Sequence, residues 1–411
     1  MYITVLCKVV DNFGDIGVAW RLCRRLAEIQ SKYKICLIVD DLESFSKIED
    51  RLPRRCAPLN DGGGAIASET SVIARDAKQS IIIDGIEIFP WKDDVLCHEV
   101  FCQNDGERLS IVLELFQCGR PDWMEKILFE EKLKRTVQII MIDYLTAEKY
   151  AEDFHCLQSL TRSAKVQKVN FMPGFTEATG GLVIDDQWAE LPVWNKDGAV
   201  LVFTYENEWR PLAQALTEYC RAGTARMLLL AQGRGKESFM EAAKVCGAGE
   251  YIKELPYLNQ SEWDNMMKKC SALVIRGEES MSRACLSGIP FIWHAYPQSD
   301  EYQLVKVRAL LERMKSHFNE ADFEIVENVW LDINSSNEVS FPGLSRESAP
   351  DSDVQIVRSS RTMTRNPYSA FFSALPRLVS GFQAFARSLR KNGDLAYNLM
   401  TYIEKNAIIV K

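Results

Sequence analysis

The chain has 411 residues, 47% of them hydrophobic, 26% charged and 10% aromatic, the composition of ordinary globular protein. At about 150 residues per domain this is material for two or three domains, since single cores stop growing well below this length. With 49 basic and 57 acidic residues the formal net charge is −8; that disfavours a sequence-independent grip on nucleic acid, which needs basic surface, and no apolar run approaches the roughly 18 residues of a membrane span.

In chain order, Tyr2–Val10 reads as a strand, without the basic start and small-residue cleavage site of a signal peptide. A helix is predicted over Val18–Ile29, on apolar Trp20, Leu22, Leu26 and Ile29. Strands follow at Tyr33–Val39, Gln79–Ile83, Ser110–Phe116 and Val137–Ile142. Short apolar runs separated by helical segments predict a parallel sheet covered on both faces. The 61–78 segment, opening on Asp61-Gly62-Gly63-Gly64, reads as a surface loop. Residues 1–184 thus form a first Rossmann-like domain, and 185–197, mixing acids, tryptophans and a proline, a linker.

A second series fills 198–375: strands at Ala199–Thr204, Arg226–Ala231, Tyr251–Leu255, Ala272–Ile275 and Phe291–His294, with helices at Leu212–Ala222, Ser238–Cys246, Gln260–Lys269 and Met281–Ser287. This is a second doubly wound α/β layer. The stretch near 334–366, rich in Ser, Asn, Pro and charge, is expected to be a flexible insertion. Helices Pro376–Lys391 and Asp394–Lys405 close the chain, and 376–411 is expected to return to the first domain. The twelve cysteines are scattered without a C-x-x-C pair, and the four histidines lack zinc-site spacing. Buried free thiols in a cytoplasmic protein are the expectation.

Four features could carry chemistry. Asp11 and Asp15 lie in the turn Asp11-Asn12-Phe13-Gly14-Asp15-Ile16-Gly17 after the first strand, where α/β sheets place ligands; capping of the following helix is the plainer use of such acids. Arg276-Gly277-Glu278-Glu279-Ser280 follows a strand and opens a helix, an arrangement of cation, glycine, N–H groups and hydroxyl that suits a diphosphate. Glu278 and Glu279 are out of place beside phosphate and fit sugar hydroxyls better. Phe203 and Tyr205 share one strand face and could flank a flat base, or simply pack the core. Gln260 could read a base edge or merely start a helix.

Two motifs are rejected. Gly233-Arg234-Gly235-Lys236-Glu237-Ser238 lacks the Walker spacing and Gly62-Gly63-Gly64 lacks flanking elements. The glycines near Asp11 do not form a dinucleotide fingerprint, which argues against a dehydrogenase. His294 reads as a structural hydrogen-bonded histidine before a catalytic one.

Taken together, the segments from Val10-Asp11-Asn12-Phe13-Gly14-Asp15-Ile16-Gly17 to Leu22, Pro173-Gly174-Phe175-Thr176, Thr179-Gly180-Gly181-Leu182, Arg276 to Ser280, Phe291 to Gln298 and Gly393-Asp394-Leu395 resemble the bacterial elongation factor P arginine rhamnosyltransferases. The resemblance implies a GT-B fold, two facing Rossmann-like domains with a deep interdomain cleft. It also implies a dTDP-β-L-rhamnose donor, no cofactor or metal, and inverting transfer to an arginine of elongation factor P. By matching motif, Asp11, Asp15 and Glu278 would be the catalytic acids. Phe203, Tyr205 and Gln260 would hold the nucleotide, and Arg276, Gly277, Glu279 and Ser280 the diphosphate-sugar. This sequence departs from the family in having Glu279 where aspartate is usual, Gly119-Arg120 after Cys118, and Met141 two residues before Asp143. Partners implied are the acceptor protein and the donor, with neither nucleic acid nor membrane. The competing readings are a transferase with another donor or acceptor, and a non-catalytic nucleotide-binding module.

Overall fold

A computed structural model of the chain describes residues 1–10, 13–49, 51–52, 81–92, 94–102, 107–130, 133, 135–223, 227–335 and 366–407. Asp11, the 61–78 loop and, within the expected insertion, residues 336–365 lie outside the described residues.

The chain divides into two compact units. Unit 1 takes Met1–Leu191, Tyr257–Asn265 and Ala386–Lys411; unit 2 takes Pro192–Pro256 and Met266–Phe385. Unit 1 opens with β1 (Tyr2–Cys7), α1 (Phe13–Ile29), β2 (Lys34–Val39), α2 (Leu42–Ile48), β3 (Ile81–Ile83), β4 (Ile86–Pro90), α3 (Asp94–Cys102) and β5 (Ile111–Leu115). It continues with α4 (Asp122–Phe129), β6 (Val137–Ile142), α5 (Tyr150–Phe154), β7 (Gln158–Ser159) and β8 (Val166–Phe171). The sheet order is β3-β4-β2-β1-β5-β6-β8-β7. Its six middle strands run parallel, and β3 and β7 pair antiparallel at the edges. Near-continuous apolar strands such as Ile-Thr-Val-Leu-Cys of β1, buried on both faces, are what a helix-covered parallel sheet demands.

Helix α1 starts five residues before the predicted Val18. Gly14 and Gly17 each weaken helix formation by about 1 kcal/mol, which hides the first turn from a pattern reading. The buried face made by Ile16, Ala19, Trp20 and Cys23 extends it, and the acid Asp15 in the first turn suits the helix dipole.

Unit 2 holds β9 (Val200–Val202), α6 (Arg210–Arg221), β10 (Leu228–Leu230), α7 (Lys236–Cys246) and β11 (Ile252–Glu254). After α8 (Gln260–Met267) come β12 (Ala272–Arg276), α9 (Glu278–Ser287), β13 (Phe291–His294), α10 (Tyr302–Lys315) and α11 (Glu320–Asn334). Its five parallel strands lie in the order β11-β10-β9-β12-β13. Asn334 ends α11 as a buried lock: its Oδ1 accepts the Ala295 N–H at 2.8 Å and its Nδ2 donates to the carbonyls of Trp293 (2.7 Å) and Trp330 (2.8 Å). The polar insertion pattern had absorbed this residue.

Two helices close the chain, α12 (Pro367–Lys391) and α13 (Leu395–Ala407). Helix α12 starts at Pro367, not at the predicted Pro376, which lies inside it. Phe371, Phe372, Leu375 and Leu378 on either side of Pro376 are buried, and that packing outweighs the hydrogen bond a proline removes. The described cysteines are free thiols, most of them buried. Among the described residues no helix is long and apolar enough to cross a membrane.

The Tyr257–Asn265 segment, part of unit 1, is fastened there by a buried ion network. Arg21 Nη1 donates to Asp185 Oδ2 and Asp264 Oδ2, both at 2.7 Å, and Nη2 to Asp264 Oδ1 at 3.2 Å. Trp188 Nε1 adds a bond to Asp264 Oδ2 at 3.0 Å. Asp264 is fully buried and Arg21 only 6% exposed. Removing one partner of a buried pair leaves a stranded charge, so Asp264→Ala is expected to destabilise unit 1 by about 3 kcal/mol. Denaturant unfolding checks this, and an unshifted midpoint would show that the network contributes little.

Candidate active site

In an open parallel sheet, ligands bind beyond the carboxyl ends of the strands, where the strand order reverses. In unit 2 that point lies between β9 and β12, where Val202, the last residue of β9, pairs with Val274. The Phe203 N–H continues the ladder to the Val274 carbonyl at 2.8 Å. Beyond it stand Phe203 and Tyr205 from one strand and Arg276 from the other. The Arg276 guanidinium lies 4.5 Å from the ring centroids of both aromatics. Cation–π contact of this kind holds a guanidinium in place. Tyr205 is buried, 4% exposed, whereas Phe203 is half-buried. The sequence left two readings open, rings flanking a flat base or simple core packing; in the structure both rings are in contact with the arginine.

Gly277 follows with φ 75° and ψ 161° and caps α9. A Cβ there would meet nothing within 4 Å; the backbone angles, not space, call for glycine. They turn the chain so that α9 begins directly after Arg276, with Glu278, Glu279 and the buried Ser280 in its first turn. In the first turn of any helix the N–H groups have no acceptor within the helix itself. The two glutamates, puzzling in the sequence, have cationic neighbours: Lys306 Nζ stands 3.2 Å from Glu278 Oε1 and Arg283 Nε 3.8 Å from Glu279 Oε1. Their charges are offset within unit 2, leaving Arg276 and the helix start to set the local potential.

Sequence reasoning missed the loop after β10. It is no P-loop, but a Cβ on Gly233 would lie 3.1 Å from both Arg276 Nη2 and Phe203 Cε2, and one on Gly235 would run into the Tyr205 carbonyl. These glycines make room for the arginine and its rings. The signal available was the position of this glycine pair after a strand, the same rule that picked out Gly277.

His294 pairs with Arg276 in the β12–β13 register. Its Nδ1 accepts the Tyr205 N–H at 3.3 Å, and the rings of Tyr205 and Trp209 meet it edge-on at 5.4 and 5.3 Å. Burial, aided by the charge of Arg276, pushes its pKa down to about 3. It is therefore a neutral acceptor, as the structural reading of the sequence expected.

In unit 1 the reversal of strand order lies between β1 and β5. Val9 N–H donates to Asp40 Oδ1 at 2.8 Å and Val10 N–H to Asp15 Oδ2 at 2.9 Å. Asp15, 3% exposed, thus braces the turn that leads into Asp11. On the other side, β5 is followed by Phe116 and Gln117, at φ 55° and 53°. Cys118 bonds through Sγ to the Leu6 carbonyl at 3.5 Å, and burial pushes its thiol up to about 12. Gln260 belongs to unit 1, with Nε2 donating to the Gly17 carbonyl at 2.7 Å. The described geometry therefore brings Phe203, Tyr205, Arg276, Gly277, Glu278, Glu279 and Ser280 together in unit 2. Asp15 and Gln260 meet α1 in unit 1. Among the described residues no three His, Cys, Asp or Glu side chains are grouped to hold a metal ion.

The sequence model of the elongation factor P (EF-P) rhamnosyltransferase EarP family matches residues 3–62 and 65–404. The chain belongs to this family. Among its relatives is the protein-arginine rhamnosyltransferase of Shewanella oneidensis, 29% identical over 343 residues, 75% of this chain and 79% of the relative. That of Pseudomonas aeruginosa is 28% identical over 375 residues, covering 84% and 90%. A solved structure concerned with EarP-mediated arginine glycosylation of translation elongation factor EF-P aligns over 98% of this chain and 99% of its own, with TM-score 0.51 at 16% identity. At that identity the likeness shows the fold, which is α/β of the GT-B type with two Rossmann-like units. As an EarP-family member the chain is an enzyme, a glycosyltransferase of the protein-arginine rhamnosyltransferase kind.

The state of His294 has a measurable consequence. Its imidazole protonates near 6.5 when unfolded and near 3 when folded. Between those values the unfolded chain binds the extra proton, so this residue's contribution makes stability fall as pH falls. At full effect the slope is about 1.4 kcal/mol per pH unit. Unfolding of His294→Gln, followed from pH 7 to 5, is expected to lack that part of the slope; identical slopes in both proteins would contradict the assignment.

Proposed function

We propose that this enzyme transfers L-rhamnose from dTDP-β-L-rhamnose to an arginine side chain of elongation factor P, inverting the anomeric centre, with no metal or cofactor in the step. The observation that carries the reading is Arg276 fixed against two aromatic rings at the strand reversal of unit 2, beside the start of α9, in a chain of this family. That is a diphosphate site by its chemistry. Arg276 Nε is buried with no hydrogen-bond partner among the described residues, and so has a donor to offer a phosphate oxygen. Ser280 and the α9 N–H groups supply further donors. Phe203, half-buried, would stack on thymine, and Tyr205 would support it through Arg276. Glu279 suits the sugar hydroxyls.

The acceptor is a poor nucleophile, since a guanidinium titrates above about 12. A carboxylate removes its proton only as the new bond forms, when the nitrogen is oriented and its charge is rising. Asp11 would take that proton, with Asp15 and Glu278 assisting. The C1–O bond to the diphosphate breaks, the C1–N bond forms on the opposite face, and the electron pair leaves on the β-phosphate. Arg276 and the α9 N–H groups stabilise the charge that builds there.

Incubating the protein with dTDP-rhamnose and EF-P, then weighing EF-P, should show the mass of one deoxyhexose, with or without EDTA. No gain in mass, or a gain abolished by the chelator, would contradict the scheme. Asp11→Asn should lose transfer while binding dTDP within a few-fold of wild type; normal turnover would remove Asp11 from its role. Phe203→Ala should weaken dTDP binding by about 1–3 kcal/mol, and calorimetry showing equal affinity would move the base elsewhere.

A further inference from the structure

An acid at the start of α9 is at odds with a diphosphate there, and α10 holds its counterweight. Glu278 is the first residue of α9, two positions after Arg276. The start of a helix attracts any anion, because its N–H groups and its dipole both favour negative charge. A carboxylate at that position is therefore drawn toward the same N–H groups that a diphosphate would use. Left there, it would compete with the ligand and repel it. Lys306 offers the carboxylate another partner. Its Nζ lies 3.2 Å from Glu278 Oε1, and both side chains are largely buried.

The turn of α10 that carries Lys306 is fixed in unit 2. Gln303 lies one turn earlier on the same face of α10, and it is buried. Its Oε1 accepts the Gln298 N–H at 3.0 Å, and its Nε2 donates to the Asn334 carbonyl at 3.1 Å. Asn334 is bonded in turn to the Trp293 carbonyl of β13 and to the Ala295 N–H just after it. Further along α10, Val307, Leu310, Leu311 and Met314 bury its inner face. A line of buried bonds thus runs from β13 through Asn334 and Gln303 to the turn bearing Lys306. Among the described residues Glu278 is the one acid in ion-pair contact with this lysine.

We propose that Lys306 is the positioning residue of Glu278. It draws this carboxylate aside from the start of α9 and offsets its charge, leaving the helix N–H groups and Arg276 to the diphosphate of the donor. This rests on the proposed function, because it assigns the donor's diphosphate to that place. Lys306 acts through Glu278 rather than by touching the donor. An ion pair shielded from water over most of its surface is screened less than an exposed one, so the pair holds its geometry at physiological salt. The device lets an acid needed for the transfer stand at an anion-binding helix start without closing it.

Calorimetry with dTDP and with thymidine, on wild type, Lys306→Met, Glu278→Gln and the double variant, tests the coupling. Lys306→Met should bind dTDP about tenfold more weakly, the effect of one uncompensated nearby charge. It should bind thymidine as wild type does, since thymidine has no phosphate to repel. In the double variant, where position 278 carries no charge, dTDP affinity should return to that of Glu278→Gln alone. Lys306→Arg, which keeps the cation, should bind dTDP nearly as wild type does. An equal loss from Lys306→Met with and without Glu278 would overturn the proposal, by showing that Lys306 meets the diphosphate directly or merely holds the fold. No loss of dTDP affinity, or an equal loss for thymidine, would also defeat it. The wild-type measurement keeps the two ideas apart. Wild type that binds dTDP no better than thymidine counts against the diphosphate site itself, whereas a clear preference for dTDP without the coupling counts against Lys306 alone.

Discussion

One interaction organises unit 2: the cation of Arg276 held by Phe203 and Tyr205 where the strand order reverses. A guanidinium held against one buried and one half-buried ring loses hydration, and it persists only because surrounding groups are arranged around its charge. Gly233 and Gly235 leave room for it, and Gly277 turns the chain away at once into α9. His294 stays neutral beside it and uses its ring nitrogen to hold the Tyr205 backbone. The glutamates that follow are offset by Lys306 and Arg283. Each feature is ordinary alone. Jointly they leave a fixed cation at the carboxyl ends of the strands, which is what the proposed donor's leaving diphosphate would need.

Unit 1 uses acids in the opposite sense, as acceptors that shape backbone. Asp15 and Asp40 hold successive N–H groups of the turn after β1, and Asp264 and Asp185 bind Arg21 so that the Tyr257–Asn265 segment stays on α1. Asp15 therefore performs the capping-like task that the plainer reading of the sequence allowed, whatever it does in addition for the substrate. Buried ion networks of this kind set position more than they add stability.

Much of this was legible in the residues. Periodicity located most of the strands because parallel strands buried on both faces are nearly all apolar. The strand-to-helix turn at Arg276–Ser280 was legible because a glycine between strand and helix has few other uses. What stayed hidden depended on the third dimension. The first turn of α1 was masked by two glycines, and Pro376 looked like a start because the buried aromatics that carry α12 through it lie at helical, not local, spacing. Tyr257–Asn265 had no compositional mark of its membership in unit 1, since a single buried aspartate, Asp264, does the fastening. The Phe116–Gln117 conformation was equally silent: neither residue type announces a left-handed backbone.

The central claim is that Arg276 binds the diphosphate rather than merely packing its rings. Calorimetry of Arg276→Gln with dTDP and with thymidine separates these roles. The account predicts a loss of dTDP affinity of roughly ten- to a hundred-fold, the scale of charge-assisted hydrogen bonds, with thymidine binding little changed. Equal affinity of variant and wild type for dTDP would contradict it.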